Sequence, residues 1–131
     1  MAARRQKRVH FPAPQGFGPL PFSNGVLAGD TFYLAGHIGI DPATKKVPES
    51  VEREIELMMD ALGKTLGKAG FRVNDLVFVQ VFCSDLSLFP QFNAAYRAHF
   101  TAPFPARAFI GSGPLLFGAR FEIQGIAVKT R

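Results

Sequence analysis

The segment PFPARAFIGSGPLLFGARFEIQGIAV, residues 103–128, holds two apolar runs, each carrying one charged residue: Arg107 in the first and, fifteen positions on, Glu122 in the second. A guanidinium stays protonated at any working pH, so among small and apolar neighbours it needs an anion. A carboxylate of the chain can supply one. So can the carboxylate or phosphate of a ligand, held through two parallel hydrogen bonds to the planar fork. Glu122, between Phe121 and Ile123, is the internal candidate. Spacing alone leaves two readings open. In one, the two form a salt bridge or are unrelated rim charges. In the other, Arg107 binds a ligand anion beside a carboxylate whose pKa is raised by apolar surroundings, suited to passing a proton to or from a water.

The remaining reactive residue types form no recognisable set. His10, His37 and His99 are dispersed and Cys83 is the single cysteine, which makes no metal site. Cys83 has no partner for an internal disulfide and reads as a small buried thiol in LVFVQVFCSDL. Ser23, Ser84, Ser87 and Ser112 lack a nucleophile context.

The elements that must position Arg107 and Glu122 follow from periodicity. VLAGDTFYLAG has two short apolar runs around Gly29-Asp30, a hairpin signal. HIGIDPATKKVPES carries turn chemistry at Asp41-Pro42 and Pro48 and reads as a connection. From Ser50 to about Ala69, Val51, Ile55, Met58, Leu62 and Leu66 fall on one helical face, with Gly70 as the stop. Asp75 to Phe82 reads as a buried strand. LFPQFNAAYRAHF returns to helical spacing through Phe89, Phe92, Tyr96 and Phe100, with Pro90 tolerable only in the first turn and Asn93 and Arg97 on another side. The last two strands are expected at about Ala106 to Gly111 and Ala119 to Val128. Strands crossed by two helices predict an α+β two-layer sandwich, the helices covering one sheet face. FVQVF and FIGSGPLLF place apolar residues on the other face as well, and burying it calls for self-association.

Composition bounds the function class. The chain has 131 residues, 47% of them hydrophobic with 14 Phe, enough for one domain with a core. Residues 1–18 read as a basic, Pro- and Gly-rich arm or extended lead-in, and 19–131 as a single domain. Of the 15 basic residues, which exceed the 10 acidic ones by five, Arg4, Arg5, Lys7 and Arg8 lie in the first ten positions, leaving a formal charge of +1 on the rest. That distribution argues against a nucleic-acid surface. No apolar run approaches the ~20 residues of a membrane span, and no signal-peptide core follows the basic start, so a cytoplasmic location is expected.

Pro105-Ala106-Arg107, a small and a hydrophobic residue, and then Glu122-Ile123 resemble the signature of the Rid (YjgF) family of imine and enamine deaminases, often described as endoribonuclease L-PSP. The resemblance runs from about residue 20 to 129. PFSNGVLAGDTFYLAGHIGIDP is similar to the family's opening hairpin, VQVFCSDLSLFPQFNAAYRAHF to its middle and FEIQGIAV to its last strand. It implies a chorismate-mutase-like fold, a homotrimer whose sheets form a barrel, and clefts between subunits that take a small carboxylate substrate. It also implies hydrolysis of reactive 2-imino or enamine acids to 2-keto acids and ammonia, with no metal or cofactor. By the match, Arg107 holds the substrate carboxylate and Glu122 handles the proton of the attacking water. Backbone groups around Gly36 and Phe109 line the cleft, and Asn93 stands near the neighbouring subunit's site. The chain departs from the family's best-known members in having Phe22 for Tyr, Ala35 for Ser, His37 for Gln, and Phe109 for Cys or Thr. These changes imply an apolar pocket with altered substrate preference, His37 being either a new proton carrier or contact or a structural residue. Two alternatives accompany this reading: a non-catalytic trimer that binds small carboxylates, and an endoribonuclease acting as a translation inhibitor.

Overall fold

The computed structural model describes residues 7–129; Arg4 and Arg5 of the basic start lie outside them. Six strands form one mixed sheet with two helices on one of its faces. The strands are β1 (Arg8–Pro12), β2 (Ser23–Ala28), β3 (Thr31–His37), β4 (Leu76–Cys83), β5 (Ala106–Gly111) and β6 (Phe121–Val128), and the helices are α1 (Val51–Lys68) and α2 (Phe89–Arg97). Their order across the sheet is β1-β2-β3-β6-β4-β5. Only β4 and β5 run parallel, joined by α2 as a crossover. The last strand of the sequence thus lies inside the sheet, and the strand of Arg107 lies at its edge.

Helix α1 forms where its periodicity and the Gly70 stop predict. The Ser50 hydroxyl accepts from the Arg53 N–H at 3.1 Å, Glu52 and Glu54 sit in the first turn, and Gly70 (φ 81°) takes the left-handed conformation after the end. Its stripe of Ile55, Met58, Leu62 and Leu66 is fully buried against the sheet, where Phe32, Leu34, Val79, Val81, Phe121 and Ile123 meet it. Helix α2 starts with Pro90 in its first turn and buries Phe92 and Tyr96, one turn apart. It stops at Arg97, short of the helical spacing that reaches Phe100, and the Phe100 N–H bonds the Arg97 carbonyl in the turn that follows.

The opposite face carries Tyr33, Phe78, Phe82, Ile110 and Ile126 around a Gln80–Gln124 side-chain hydrogen bond of 2.7 Å. These positions alternate with the buried ones, and no element of the described chain covers them. Strand β1 lies within the segment read as an arm or lead-in. Val9 and Phe11 alternate there, and Phe11 packs against the core while its backbone pairs with β2. No helix among the described residues is long and apolar enough to cross a membrane.

Candidate active site

Arg107 stands in register with Val79, so its side chain leaves the sheet on the helix-covered face. There the guanidinium carbon lies 4.9 Å from the Tyr96 ring centroid, 5.4 Å from Phe109, 5.7 Å from Phe89 and 5.8 Å from Phe92. Such an aromatic cage attracts the cation through the ring quadrupoles, by about 0.5–2 kcal/mol per contact depending on desolvation. It supplies no counter-charge. The Arg107 Nη2–H donates to Asn93 Oδ1 at 2.7 Å, a neutral acceptor one helical turn from Arg97. Among the described residues Arg107 forms no ion pair with a carboxylate. Beside it lies a cavity of about 220 Å³ lined by Asn93, Tyr96, Arg97, Phe104, Pro105 and Arg107. Burial pushes the Tyr96 phenol up to about 12, the nearby Arg107 charge opposing, and its buried hydroxyl has no hydrogen-bond partner among the described residues. The cavity is therefore rich in donors and has no acid of its own, an arrangement suited to holding a small carboxylate.

Glu122 leaves β6 on the other face, across from Phe82 and between the buried Phe121 and Ile123. Burial raises its pKa above the usual carboxylate value. Its carboxylate reaches toward β3 at Ala35-Gly36, where the pairing with β6 jumps from Leu34↔Gly125 to His37↔Ile123. Two residues of β3 thus oppose one residue of β6, a β-bulge. A Cβ on Gly36 would lie 2.6 Å from Glu122 Oε2, so only glycine lets the backbone approach the carboxylate this closely. A part-buried carboxylate with a raised pKa beside backbone amide groups can take a proton from a water and return it.

The expected residues fall into two groups. Arg107, Asn93 and Phe109 meet on the helix side of the edge strand, the Phe109 ring packing on Phe89 at 4.9 Å and on Phe92 at 5.0 Å. Glu122 and Gly36 meet on the open side, Ala35 preceding Gly36 in the bulge, with β4 between the two groups. Phe22, 49% exposed, precedes β2 beside the Pro-rich loop. His37 points into the core instead, its Nε2 2.8 Å from Thr65 Oγ1 of α1. The internal Arg107–Glu122 salt bridge left open by spacing does not form.

Two features escaped the sequence reading. Tyr96 and Arg97 line the cavity, but helical periodicity marks Tyr96 only as core and Arg97 only as surface. The other is a clamp at the start of β6. Glu54, fully buried, accepts from the Arg120 N–H at 2.8 Å, the Phe121 N–H at 3.2 Å and Arg120 Nε at 2.6 Å. Arg120 also donates to the carbonyls of Pro48 and Glu49, tying α1, the loop before it and β6 together two residues from Glu122. An acid in the first helical turn reads as a dipole partner, so nothing local signals its burial.

The family profile described as Endoribonuclease L-PSP matches residues 15–129. The 2-iminobutanoate/2-iminopropanoate deaminase of Bos taurus is 36% identical over 118 residues, covering 89% of this chain and 85% of that protein. The protein of the same name from Escherichia coli K12 is 35% identical over 120 residues, covering 89% and 92%. Among solved structures, the YjgF gene product of E. coli superposes with a TM-score of 0.82 at 35% identity, covering 90% of this chain and 94% of that one. RidA of an Antarctic Psychrobacter gives a TM-score of 0.80 at 31% identity over 92% and 94%.

Proposed function

Because the chain belongs to the Rid (YjgF) family, described as endoribonuclease L-PSP, we propose that it hydrolyses reactive 2-imino acids, and the enamines in equilibrium with them, to 2-keto acids and ammonia. The observation that carries this reading is the caged Arg107 guanidinium, which has a cavity beside it and, among the described residues, no carboxylate to pair with.

Arg107 holds the substrate carboxylate, with Asn93 fixing one edge of the guanidinium so that its remaining N–H groups face the ligand. Glu122 takes a proton from water as the water oxygen bonds to the electrophilic imine carbon. The C=N bond becomes a single bond and the proton passes from Glu122 to nitrogen, giving a carbinolamine. Glu122 then carries the proton of the new hydroxyl to nitrogen, the C–N bond breaks, the C=O bond forms and ammonia leaves. Positioning and one proton relay suffice, with no covalent nucleophile.

Within one chain Arg107 and Glu122 lie on opposite faces of the sheet, so this mechanism needs two copies, Arg107 from one and Glu122 from the next. The apolar open face supports a homotrimer with its sheets inside as a barrel, since such packing would bury Phe78, Phe82 and Ile126. The replacements Phe22, Ala35 and Phe109 shift preference toward bulkier or more apolar imino acids. In support, Phe22 is half exposed, and Ala35, next to Gly36 in the bulge, offers no side-chain donor.

The test is an imine-trapping assay. An amino-acid oxidase generates imino acids from a panel of amino acids while semicarbazide competes for them, and the protein is compared with Arg107→Ala. Lower semicarbazone formation with the wild type alone is the expected result, and the panel reads the preference. If neither protein affects any imine while 2-keto acids still bind, the chain is a carboxylate-binding protein and not a deaminase.

A further inference from the structure

His37 is among the buried titratable groups that the mechanism above leaves unused. It is 6% exposed, and both ring nitrogens are occupied. Nδ1 lies 2.7 Å from the Ala35 carbonyl oxygen, which can only accept, so Nδ1 carries a proton. In the neutral ring Nε2 is then bare and accepts the Thr65 hydroxyl at 2.8 Å, the nearer of two acceptors for that single proton, the other being the Ala61 carbonyl at 3.2 Å, while Thr65 Oγ1 accepts from Asn24 Nδ2–H at 2.9 Å. Burial lowers the imidazole pKa, in keeping with the neutral form. A chain of hydrogen bonds thus runs from β2 through α1 to one carbonyl of β3.

That carbonyl belongs to the bulge. Leu34 and His37 both face the helices although they are three residues apart, whereas strict alternation would turn His37 onto the open face and Gly36 into the core. The two bulge residues are Ala35, whose carbonyl His37 holds, and Gly36, whose backbone abuts the Glu122 carboxylate.

We propose that His37 is a positioning residue: its Nδ1–H, locked from behind by Thr65 and Asn24, fixes the orientation of the Ala35-Gly36 peptide and thereby the place and surroundings of the Glu122 carboxylate. The role in catalysis rests on the function proposed above; the role in holding Glu122 does not. The imidazole lies on the core side and neither carries a proton to substrate nor touches it. What the position requires is a donor toward Ala35 together with an acceptor toward Thr65. A glutamine amide offers the same pair and leucine offers neither.

The test compares wild type, His37→Gln, His37→Leu and Thr65→Val, each first shown folded by circular dichroism. The first readout is the Glu122 titration followed by carboxylate ¹³C NMR, which needs no substrate and which a general loss of stability does not move in a protein that remains folded. The expected result is a wild-type titration in His37→Gln, a displaced one in His37→Leu and a smaller displacement in Thr65→Val. The second readout is imine hydrolysis. In His37→Leu kcat falls about tenfold to a hundredfold, as expected for a misplaced proton carrier, while KM stays within about twofold because Arg107 is untouched. A Glu122 titration that is the same in His37→Leu as in wild type overturns the inference. So does an equal displacement in His37→Gln and His37→Leu. If the wild type hydrolyses no imine, the proposed function fails and the titration alone decides the inference.

Discussion

Mixing two inactive variants tests the division of the site between faces. Arg107→Ala subunits keep Glu122, and Glu122→Gln subunits keep Arg107. Alone, Arg107→Ala loses charge-assisted hydrogen bonds of about 1.5–3 kcal/mol each, roughly ten- to hundredfold or more in kcat/KM. Glu122→Gln loses the proton relay, about 10²–10⁴-fold. If each site takes Arg107 from one subunit and Glu122 from its neighbour around a ring, a random 1:1 mixture restores about a quarter of the sites, since each requirement is met half the time. The two proteins are unfolded together and refolded, native mass spectrometry verifies mixed oligomers, trimers on the proposed assembly, and activity is measured with the imine-trapping assay. Recovery to about a quarter of wild-type activity is expected. Residual activity no higher than that of the separate variants, with mixed oligomers present, would refute the claim that the opposed faces of β5 and β6 divide the site.

Gly36→Ala places a Cβ against the Glu122 carboxylate and should lower kcat about tenfold or more with little change in KM, checked by steady-state kinetics. Glu54→Ala leaves the Arg120 guanidinium and two backbone N–H groups without their shared acceptor, and should cost about 3–5 kcal/mol in urea denaturation. In the proposed mechanism Glu122 works as a base only when deprotonated, and burial raises its pKa, so kcat/KM should climb with pH through a midpoint above the ordinary 4.5. A pH–rate profile reads this, and Glu122→Gln should lack that limb.

Periodicity within a single element located most of this fold. The apolar stripe of α1 and the Gly70 stop are local features, and the helix begins and ends where they say. Strand β5 likewise spans the expected residues. Strand β1 was hidden because its short alternation, Val9 and Phe11, sits beside prolines and becomes a strand only by pairing with β2, a contact no local pattern encodes. His37 is similar: its residue type suggests proton chemistry near a turn, but the bulge that turns it inward is a property of the β3–β6 register.

By itself the sequence determined the types of the elements from β2 onward, the α+β class and the two charged residues most suited to chemistry, since helical and strand periods and the anion requirement of a guanidinium are local matters. It also determined the family resemblance, carried by Pro105-Ala106-Arg107 and Glu122-Ile123. Only the tertiary structure decided that Arg107 and Glu122 point to opposite faces. In FEIQGIAV the alternation shows which residues share Glu122's face, but in ARAFIG both faces are small or apolar, and nothing local says which one the helices cover. That choice came from pairing β5 parallel to β4 and packing α2 over Phe109, so a side chain's face was set by contacts distant in sequence.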